Sequence, residues 1–190
     1  YEITTRLVGS EMCIRDRCLT LPNKTMWMFM KIREVRTDDA KEIAEIYNHY
    51  VRTSTVTFDT VIATEEMTRN RIEAIASRYP YYVCEDEGRV VGYAYAHEWK
   101  GRGAYHNTLE ASAYVLDGMT GRGIGRKLME CLIDDCRKRG FHALIACITT
   151  GNEASERMVK SFGFYEASHF REVGYKFGQF LDDSDYELLL

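Results

Sequence analysis

The sequence lacks the features that mark several large classes of protein. It has no run of 18 or more apolar residues, which a membrane-spanning helix needs. It also has no excess of positive charge, because 25 Lys and Arg residues against 29 Asp and Glu residues give a net charge of −4. These absences argue against a membrane or nucleic acid as a partner, so local positive charge must carry any phosphate recognition.

The sequence also lacks cysteines or histidines at the spacings typical of metal sites. The five histidines show no metal-ligand spacing, and the cysteines form no C-x-x-C pair. We therefore predict no metal and reduced thiols, which is typical of a cytoplasmic protein. The six cysteines are Cys13, Cys18, Cys84, Cys131, Cys136 and Cys147.

Residues 1–29 differ from the rest of the chain. They show no sustained hydrophobic period and no signal-peptide core, and Leu7–Arg17 resembles a translated sequencing-adapter scar. We expect an artefactual or disordered extension, with the native start near Met30 and with Met26 and Met28 as alternatives. A genuine flexible extension is the other interpretation. The predicted folded domain is 30–190.

From residue 30 the chain alternates strand and helix patterns without repeats or low-complexity linkers. Apolar residues at i, i+3, i+4 and i+7 predict two early helices, one after Thr37 and one from Thr64, the second ended by Pro80. Later helices are predicted from Gly121 to Arg139 and from Asn152 to Ser161. The predicted strands are Lys31–Arg36, Tyr81–Glu85, Arg89–Glu98, His106–Leu116, Ala143–Thr149 and two more near the C-terminus. This order indicates one α+β domain with a mixed central sheet.

A glycine-rich turn between a strand and a helix, Gly121–Arg126, carries the strongest chemical signal. Glycines let successive N–H groups point inward, the helix N-terminus adds partial positive charge, and two arginines add full charges. The turn therefore suits a pyrophosphate, although a plain strand-to-helix connection is the alternative. A dinucleotide fingerprint needs G-x-G-x-x-G, and a P-loop needs Ser or Thr after its lysine, where Leu128 stands. Neither motif fits.

Short stretches in the same order along the chain resemble the GNAT acetyltransferases, and in particular the phosphinothricin and methionine-sulfoximine acetyltransferase branch. The stretches are Asn48–Tyr50, Thr53–Val56, Arg78–Pro80, Gly92–Ala96, Trp99–Tyr105 and Gly174–Lys176, together with the glycine turn. The resemblance covers residues 31–181. It implies a three-layer α/β/α fold with a mostly antiparallel sheet, acetyl-CoA as co-substrate, and a homodimer.

The resemblance also implies which residues bind the co-substrate. Backbone groups of one strand would hold the acetyl-pantetheine arm, the glycine turn would hold the pyrophosphate, and Asn152 would touch the ligand from beyond the next strand. The strand residues are Ala113, Tyr114 and Val115, and the turn residues are Gly121, Arg122, Gly123, Ile124, Gly125 and Arg126.

Two positions depart from the family pattern. Thr120 stands where the turn usually begins with Gln or Arg, which we expect to weaken co-substrate binding slightly. Val159 stands seven residues after Asn152, where Tyr or His usually serves as the candidate general acid. The role of general acid is therefore unfilled at its usual position.

Glu110 is the candidate catalytic base. Strand alternation puts it on one face with Ser112 and Tyr114, inside an otherwise apolar segment, where a carboxylate is costly without a partner or a task. A carboxylate satisfied by a neighbouring cation is the structural alternative. The family resemblance assigns the catalytic glutamate here, which would remove the proton from the substrate ammonium.

The loop Trp99–Tyr105 precedes that strand and carries the candidate substrate clamp. Arg102 offers a bidentate fork for a carboxylate or phosphinate, with Lys100 as a weaker candidate and Tyr105 and Phe58 as pocket residues. Without the family pattern these are ordinary solvated loop charges. We predict an N-acetyltransferase for a small amino-acid-like amine; the alternatives are a protein N-acetyltransferase of the same fold and a non-catalytic acetyl-CoA sensor.

Overall fold

The computed structural model describes residues 30–190, so the prediction for residues 1–29 lies outside the described residues. The strands are β1 Met30–Glu34, β2 Tyr81–Asp86, β3 Arg89–Glu98, β4 Thr108–Val115, β5 Ala143–Thr149, β6 Tyr165–Lys176 and β7 Gln179–Leu189. The α-helices are α1 Ala40–Thr53, α2 Glu65–Ala76, α3 Ile124–Lys138 and α4 Glu153–Ser161. No helix among them combines the length and the apolar character that crossing a bilayer requires.

The seven strands form one sheet in the order β1-β2-β3-β4-β5-β7-β6. Every neighbouring pair is antiparallel except β4 and β5, which run parallel. The mixed, mostly antiparallel sheet predicted from the sequence is confirmed.

Helices cover both faces of the sheet. On one face, Leu128 and Leu132 of α3 and Val159 of α4 pack with inward-facing strand residues in a buried cluster. On the other face, Ile46 of α1 and Ile72 of α2 pack in a second cluster, against a row of strand tyrosines. The result is the three-layer α/β/α arrangement that the family resemblance implies.

The ends of several elements follow local hydrogen bonding. The Thr37–Asp39 segment is a short 3-10 turn, and α1 begins only at Ala40. The carboxylate of Asp39 explains this, because it accepts from the Arg36 N–H at 2.7 Å and from Nη1 and Nη2 of the Arg33 guanidinium at 2.8 Å. Asp39 therefore ties the start of α1 to β1.

The parallel pair β4–β5 determines where the functional site lies. The two strands pair only at their beginnings, Thr108–Glu110 with Ala143–Ile145. Beyond Glu110, β4 stays paired with β3 while β5 stays paired with β7. The strands therefore diverge and leave a gap in the sheet, with Glu110 at its vertex.

Candidate active site

The gap between β4 and β5 opens into a cavity of about 540 Å³. This is within the size range of small-molecule sites, roughly 300–1,000 Å³. One wall is β4 from Ala111 to Val115, the opposite wall is β5 from Ala146 to Ile148, and the N-terminal parts of α3 and α4 close the end. The cavity thus joins the sheet gap to two helix N-termini.

The β4 wall offers backbone hydrogen-bonding groups to a ligand. Past Glu110 the strand has a partner only on its β3 side, so the edge facing β5 carries no strand ladder. Extended amide-bearing chains bind such edges by main-chain hydrogen bonds. Ala113, Tyr114 and Val115, which the family resemblance implicated, all line the cavity along this edge.

The glycine turn has the conformation that an anion cradle needs. Gly121 and Gly123 have φ of 74° and 81°, in the left-handed region that glycine enters without cost. Gly123 is the N-cap of α3, and the helical ladder starts with the Lys127 N–H donating to the Gly123 carbonyl. The N–H groups before it have no intrahelical acceptor, as at every helix start, and they are free to bind an anion.

The two arginines of the turn differ in their contacts. Arg122 is exposed and donates to the Gly118 carbonyl at 3.2 Å. Arg126 lines the cavity, pairs with Glu130 at 3.1 Å, and donates to the Ser161 hydroxyl at 2.7 Å. Arg126 therefore brings positive charge to the rim in a fixed geometry. Arg157 of α4 also lines the cavity, and sequence reasoning missed it.

Asn152 and Val159 meet the cavity from α4. The Asn152 side chain caps that helix by accepting from the Ser155 N–H at 3.3 Å, and it lines the cavity as well. Val159 is only 2% exposed and belongs to the apolar core under the cavity. The position at which the family usually carries its candidate general acid is therefore apolar here.

Tyr50 is a cavity residue that the sequence analysis named only as part of the Asn48–Tyr50 stretch. Its hydroxyl donates to the Val115 carbonyl at 2.5 Å, which fixes the far end of the β4 wall against α1. Burial raises the pKa of Tyr50, so the hydroxyl keeps its proton for this bond. The contact joins residues 65 positions apart, which no local pattern reveals.

Glu110 lies at the vertex of the gap, on the face of the sheet that α1 and α2 cover. Its side chain is 29% exposed, and its Oε1 is 3.8 Å from His97 Nε2 on the adjacent strand β3. The carboxylate is therefore in contact with solvent at the point where β4 and β5 part, although Glu110 does not line the cavity itself.

Three further groups surround this vertex. They are Cys147 of β5 and Asp183 and Asp185 of β7. The Cys147 sulfur and one carboxylate oxygen from each aspartate all lie within 4.8 Å of one another. Although Cys147 keeps contact with solvent, desolvation in the cleft and the Glu110 carboxylate raise the pKa of its thiol. Burial, followed by the charges of Asp185 and Glu110, also raises the pKa of Asp183. The thiol is thus a neutral neighbour in an acidic corner and not a thiolate nucleophile.

The loop between β3 and β4 holds the residues predicted to clamp the substrate. The Lys100 ammonium lies 3.8 Å from the centre of the Trp99 ring, and Tyr105 packs edge-on against that ring with centroids 5.4 Å apart. Lys100 is therefore partly engaged by aromatic faces. Arg102 is exposed and takes part in none of the ion pairs found between residues 30 and 190.

The loop between α1 and α2 is anchored by the C-terminal strands. The ring of Phe58 covers Gly174 so closely that a Cβ there would lie 2.4 Å from it. The buried Lys176 donates to the Thr57 carbonyl at 2.7 Å, and Thr149 donates to the Thr55 carbonyl at the same distance. The Gly174–Lys176 stretch, which the sequence analysis named as part of the family resemblance, therefore holds the loop that carries Phe58.

This fold and cleft define a class of protein in which two parallel neighbouring strands diverge beside a glycine-rich helix N-terminus, with a carboxylate where the strands part. The chain belongs to the GNAT acetyltransferase family, whose acetyltransferase (GNAT) domain matches residues 32–184.

Relatives with established names support this assignment. The phosphinothricin N-acetyltransferase of Alcaligenes faecalis is 39% identical over 153 residues, covering 80% of this chain and 78% of that protein. The L-methionine sulfoximine/L-methionine sulfone acetyltransferase of Salmonella typhimurium is 37% identical, covering 85% of this chain and 95% of that protein. A phosphinothricin acetyltransferase from Sinorhizobium meliloti, solved with acetyl-CoA, superposes with a TM-score of 0.83 at 32% identity, covering 86% and 89% of the two chains.

Proposed function

We propose that the protein transfers the acetyl group of acetyl-CoA to the amine of a small amino-acid-like substrate, such as phosphinothricin or methionine sulfoximine or sulfone. The observation that carries the proposal is the gap between β4 and β5, with a glycine cradle at one end and Glu110 at its vertex. The named relatives supply the substrate class.

The residues of the gap fit the shape and charge of acetyl-CoA. The free edge of β4 offers peptide groups to the amide-bearing pantetheine arm, along Ala113–Val115. The turn Gly121–Arg126 offers N–H groups and an arginine to the pyrophosphate, and Asn152 contacts the ligand from the α4 side. Binding relies mainly on backbone groups, so it tolerates Thr120 at the start of the turn.

Glu110 is the proposed general base. It takes a proton from the substrate ammonium, directly or through water, and the neutral amine then attacks the thioester carbonyl. N–H groups of β4 stabilise the oxyanion that forms. Cys147 lies beside this centre, but its raised thiol pKa argues for direct transfer without an acetyl-cysteine intermediate. The proposed chemistry uses no metal ion.

The substrate's own anionic group is assigned to Arg102. Its exposed guanidinium has no carboxylate partner among residues 30–190, and its fork matches a carboxylate or a phosphinate. Lys100, Tyr105 and Phe58 are assigned supporting roles beside Arg102, and all four residues lie outside the lining of the cavity between β4 and β5. The compact, aromatic character of the loop favours a small anionic amino acid over a peptide.

We further propose a cytoplasmic homodimer. Large apolar side chains are exposed on the outer hairpin β6–β7, where β6 is the edge strand of the sheet. Exposed apolar side chains concentrated on one hairpin are typical of a protein–protein interface. Its members are Tyr165, Phe170, Val173, Tyr175, Phe177 and Phe180. Light scattering at micromolar concentration tests the proposed dimer.

The function is tested by a screen of acetyl transfer. Thiol release from acetyl-CoA is measured with phosphinothricin, methionine sulfoximine, methionine sulfone, ordinary amino acids, simple amines and peptides. Fast release with the first three supports the proposal. Release only with peptides identifies a protein N-acetyltransferase, and acetyl-CoA binding without release identifies a sensor; either result overturns it.

A further inference from the structure

We propose that His97 is the second half of the base: it receives from Glu110 the proton that the substrate ammonium loses, and it passes that proton to solvent. The inference deepens the proposed function and rests on it. His97 acts through Glu110, so it is a positioning and proton-accepting partner and does not itself touch the reacting atoms.

The sheet register sets the two side chains against each other. His97 of β3 and Glu110 of β4 are directly opposite across the antiparallel pair, so both side chains project from the same face. His97 Nε2 and Glu110 Oε1 are 3.8 Å apart, and the two side chains are 27% and 29% exposed. This distance is longer than a hydrogen bond, so the proposed transfer requires the two side chains to approach each other or a water molecule to bridge them, and both groups are partly exposed to solvent.

Backbone contact selects the useful tautomer of the imidazole. His97 Nδ1 lies 2.8 Å from the carbonyl oxygen of Glu98, which only accepts hydrogen bonds. In the neutral ring Nδ1 therefore carries the proton, and Nε2 presents its lone pair to Glu110. This assignment of the proton follows from the partner atoms. The basic nitrogen therefore faces the carboxylate that, in the proposed reaction, has taken the proton from the substrate ammonium.

Neighbouring groups hold the ring and set its charge environment. The Tyr95 ring stacks on His97 with centroids 5.6 Å apart, and Arg71 of α2 fixes the Tyr95 hydroxyl at 2.7 Å. Around Glu110 the groups from β5 and β7 are the neutral thiol of Cys147 and the carboxyl groups of Asp183 and Asp185. Carboxylates thus outnumber cations at this corner.

The protons balance across the reaction. The ammonium gives one proton to the Glu110 carboxylate, which hands it to His97 Nε2 and returns to its ionised form. When the nitrogen–carbon bond forms and the carbon–sulfur bond breaks, the second nitrogen proton goes to the departing thiolate, directly or through water. The net product is one proton, which leaves from the exposed imidazole to solvent.

The relay also matches proton affinities better than a lone carboxylate does. A glutamate carboxyl ordinarily titrates near 4.3 and an imidazole near 6.5, against about 10 for an alkyl ammonium. Holding the proton on an imidazole therefore improves the equilibrium for a neutral amine by about two orders of magnitude. A base works best when its affinity lies near the working pH.

The test is His97→Asn, measured as kcat against pH with saturating acetyl-CoA and phosphinothricin. Asparagine keeps an N–H for the Glu98 carbonyl but has no basic nitrogen to face Glu110. We expect kcat at neutral pH to fall about 10- to 100-fold, the difference in proton affinity setting the upper value. The acidic limb of the profile should move at least one pH unit lower than in the wild type, because the final proton acceptor changes from an imidazole to a carboxylate.

His106→Asn is the matched control. His106 Nδ1 also lies against a backbone carbonyl, 2.7 Å from that of Gly103, but no ion pair involves His106 in the described part of the chain. The acidic limb of the kcat profile of His106→Asn should stay at the pH of the wild-type limb. If His97→Asn keeps the wild-type limb while the wild type transfers acetyl groups, the relay is wrong and the proposed function stands. If the wild type acetylates no amine, the function fails and the relay fails with it.

Discussion

Replacing Glu110 by glutamine removes the proposed base while keeping its shape. The side chain is partly exposed, and its 3.8 Å contact with His97 is longer than a hydrogen bond. Exposed ion pairs contribute only about 0–1 kcal/mol to folding. The melting temperature of Glu110→Gln should therefore stay close to that of the wild type, which separates a catalytic effect from a loss of fold.

The expected loss lies in kcat. A general base contributes about 10²- to 10⁴-fold, which corresponds to roughly 2.7–5.4 kcal/mol of activation free energy at about 1.36 kcal/mol per tenfold. Acetyl-CoA affinity should barely change, because its proposed contacts are the β4 backbone and the turn Gly121–Arg126. The mutation should thus lower kcat and leave the dissociation constant of acetyl-CoA nearly as it was.

The remaining activity of Glu110→Gln should depend on pH. An alkyl ammonium titrates near pH 10, so raising the pH supplies neutral amine without help from the enzyme. Glu110→Gln should therefore recover part of its lost rate as the pH rises towards 9–10. Because Val159 is apolar and buried, no side-chain acid at that position should cause an alkaline fall.

The assay is the initial rate of thiol release at saturating acetyl-CoA and amine, from pH 6 to pH 10. Glu98→Gln is the matched control, since Glu98 is an exposed carboxylate on the neighbouring strand and only its backbone contacts His97. Near-wild-type kcat for Glu110→Gln at neutral pH would refute the reasoning, and Glu110 would then be a structural carboxylate.

Three further substitutions have defined outcomes. Arg102→Lys should raise KM strongly for anionic amino acids and little for simple amines, because the fork is lost while the charge stays; equal effects would rule out the clamp. Gly174→Ala puts a Cβ into the Phe58 ring, so it should cost about 1–3 kcal/mol in urea unfolding, and Phe58→Ala should rescue it. Gly123→Ala forces an alanine into the left-handed region at φ 81°, so the free energy of unfolding should fall by about 1–2 kcal/mol. The same variant should weaken acetyl-CoA binding in calorimetry. Gly118→Ala is equally strained but lies outside the cavity, so it should lower stability and leave acetyl-CoA binding unchanged.

Local sequence signals predicted most of the elements. The β-branched run at Ala143–Thr149 is β5 residue for residue, and the Asn152 cap starts α4 as expected. The glycine turn directly precedes α3, as predicted. This prediction succeeded because glycine-rich turns at helix starts are recognisable from neighbouring residues alone. The start of α1 was less predictable, since the ion pair from Arg33 to Asp39 competes with the simple cap.

The architecture of the site depends on contacts that no local pattern encodes. The divergence of β4 from β5 follows from pairing with strands far away in the chain, and it decides that Glu110 stands at a vertex. The register of β3 with β4 sets His97 opposite Glu110, and the register of β5 with β7 sets Cys147 opposite Asp185. Sequence reasoning therefore found the candidate base but not the groups around it.

The most direct test of the account is whether acetyl-CoA binds the gap between β4 and β5. A ligand at 100 times its dissociation constant adds about 2.7 kcal/mol to the free energy of unfolding, or roughly 5–10 °C in melting temperature for a domain of this size. We predict a rise of that order with saturating acetyl-CoA, and a smaller rise at the same concentration for Gly123→Ala. An unchanged melting temperature for the wild type would contradict the account.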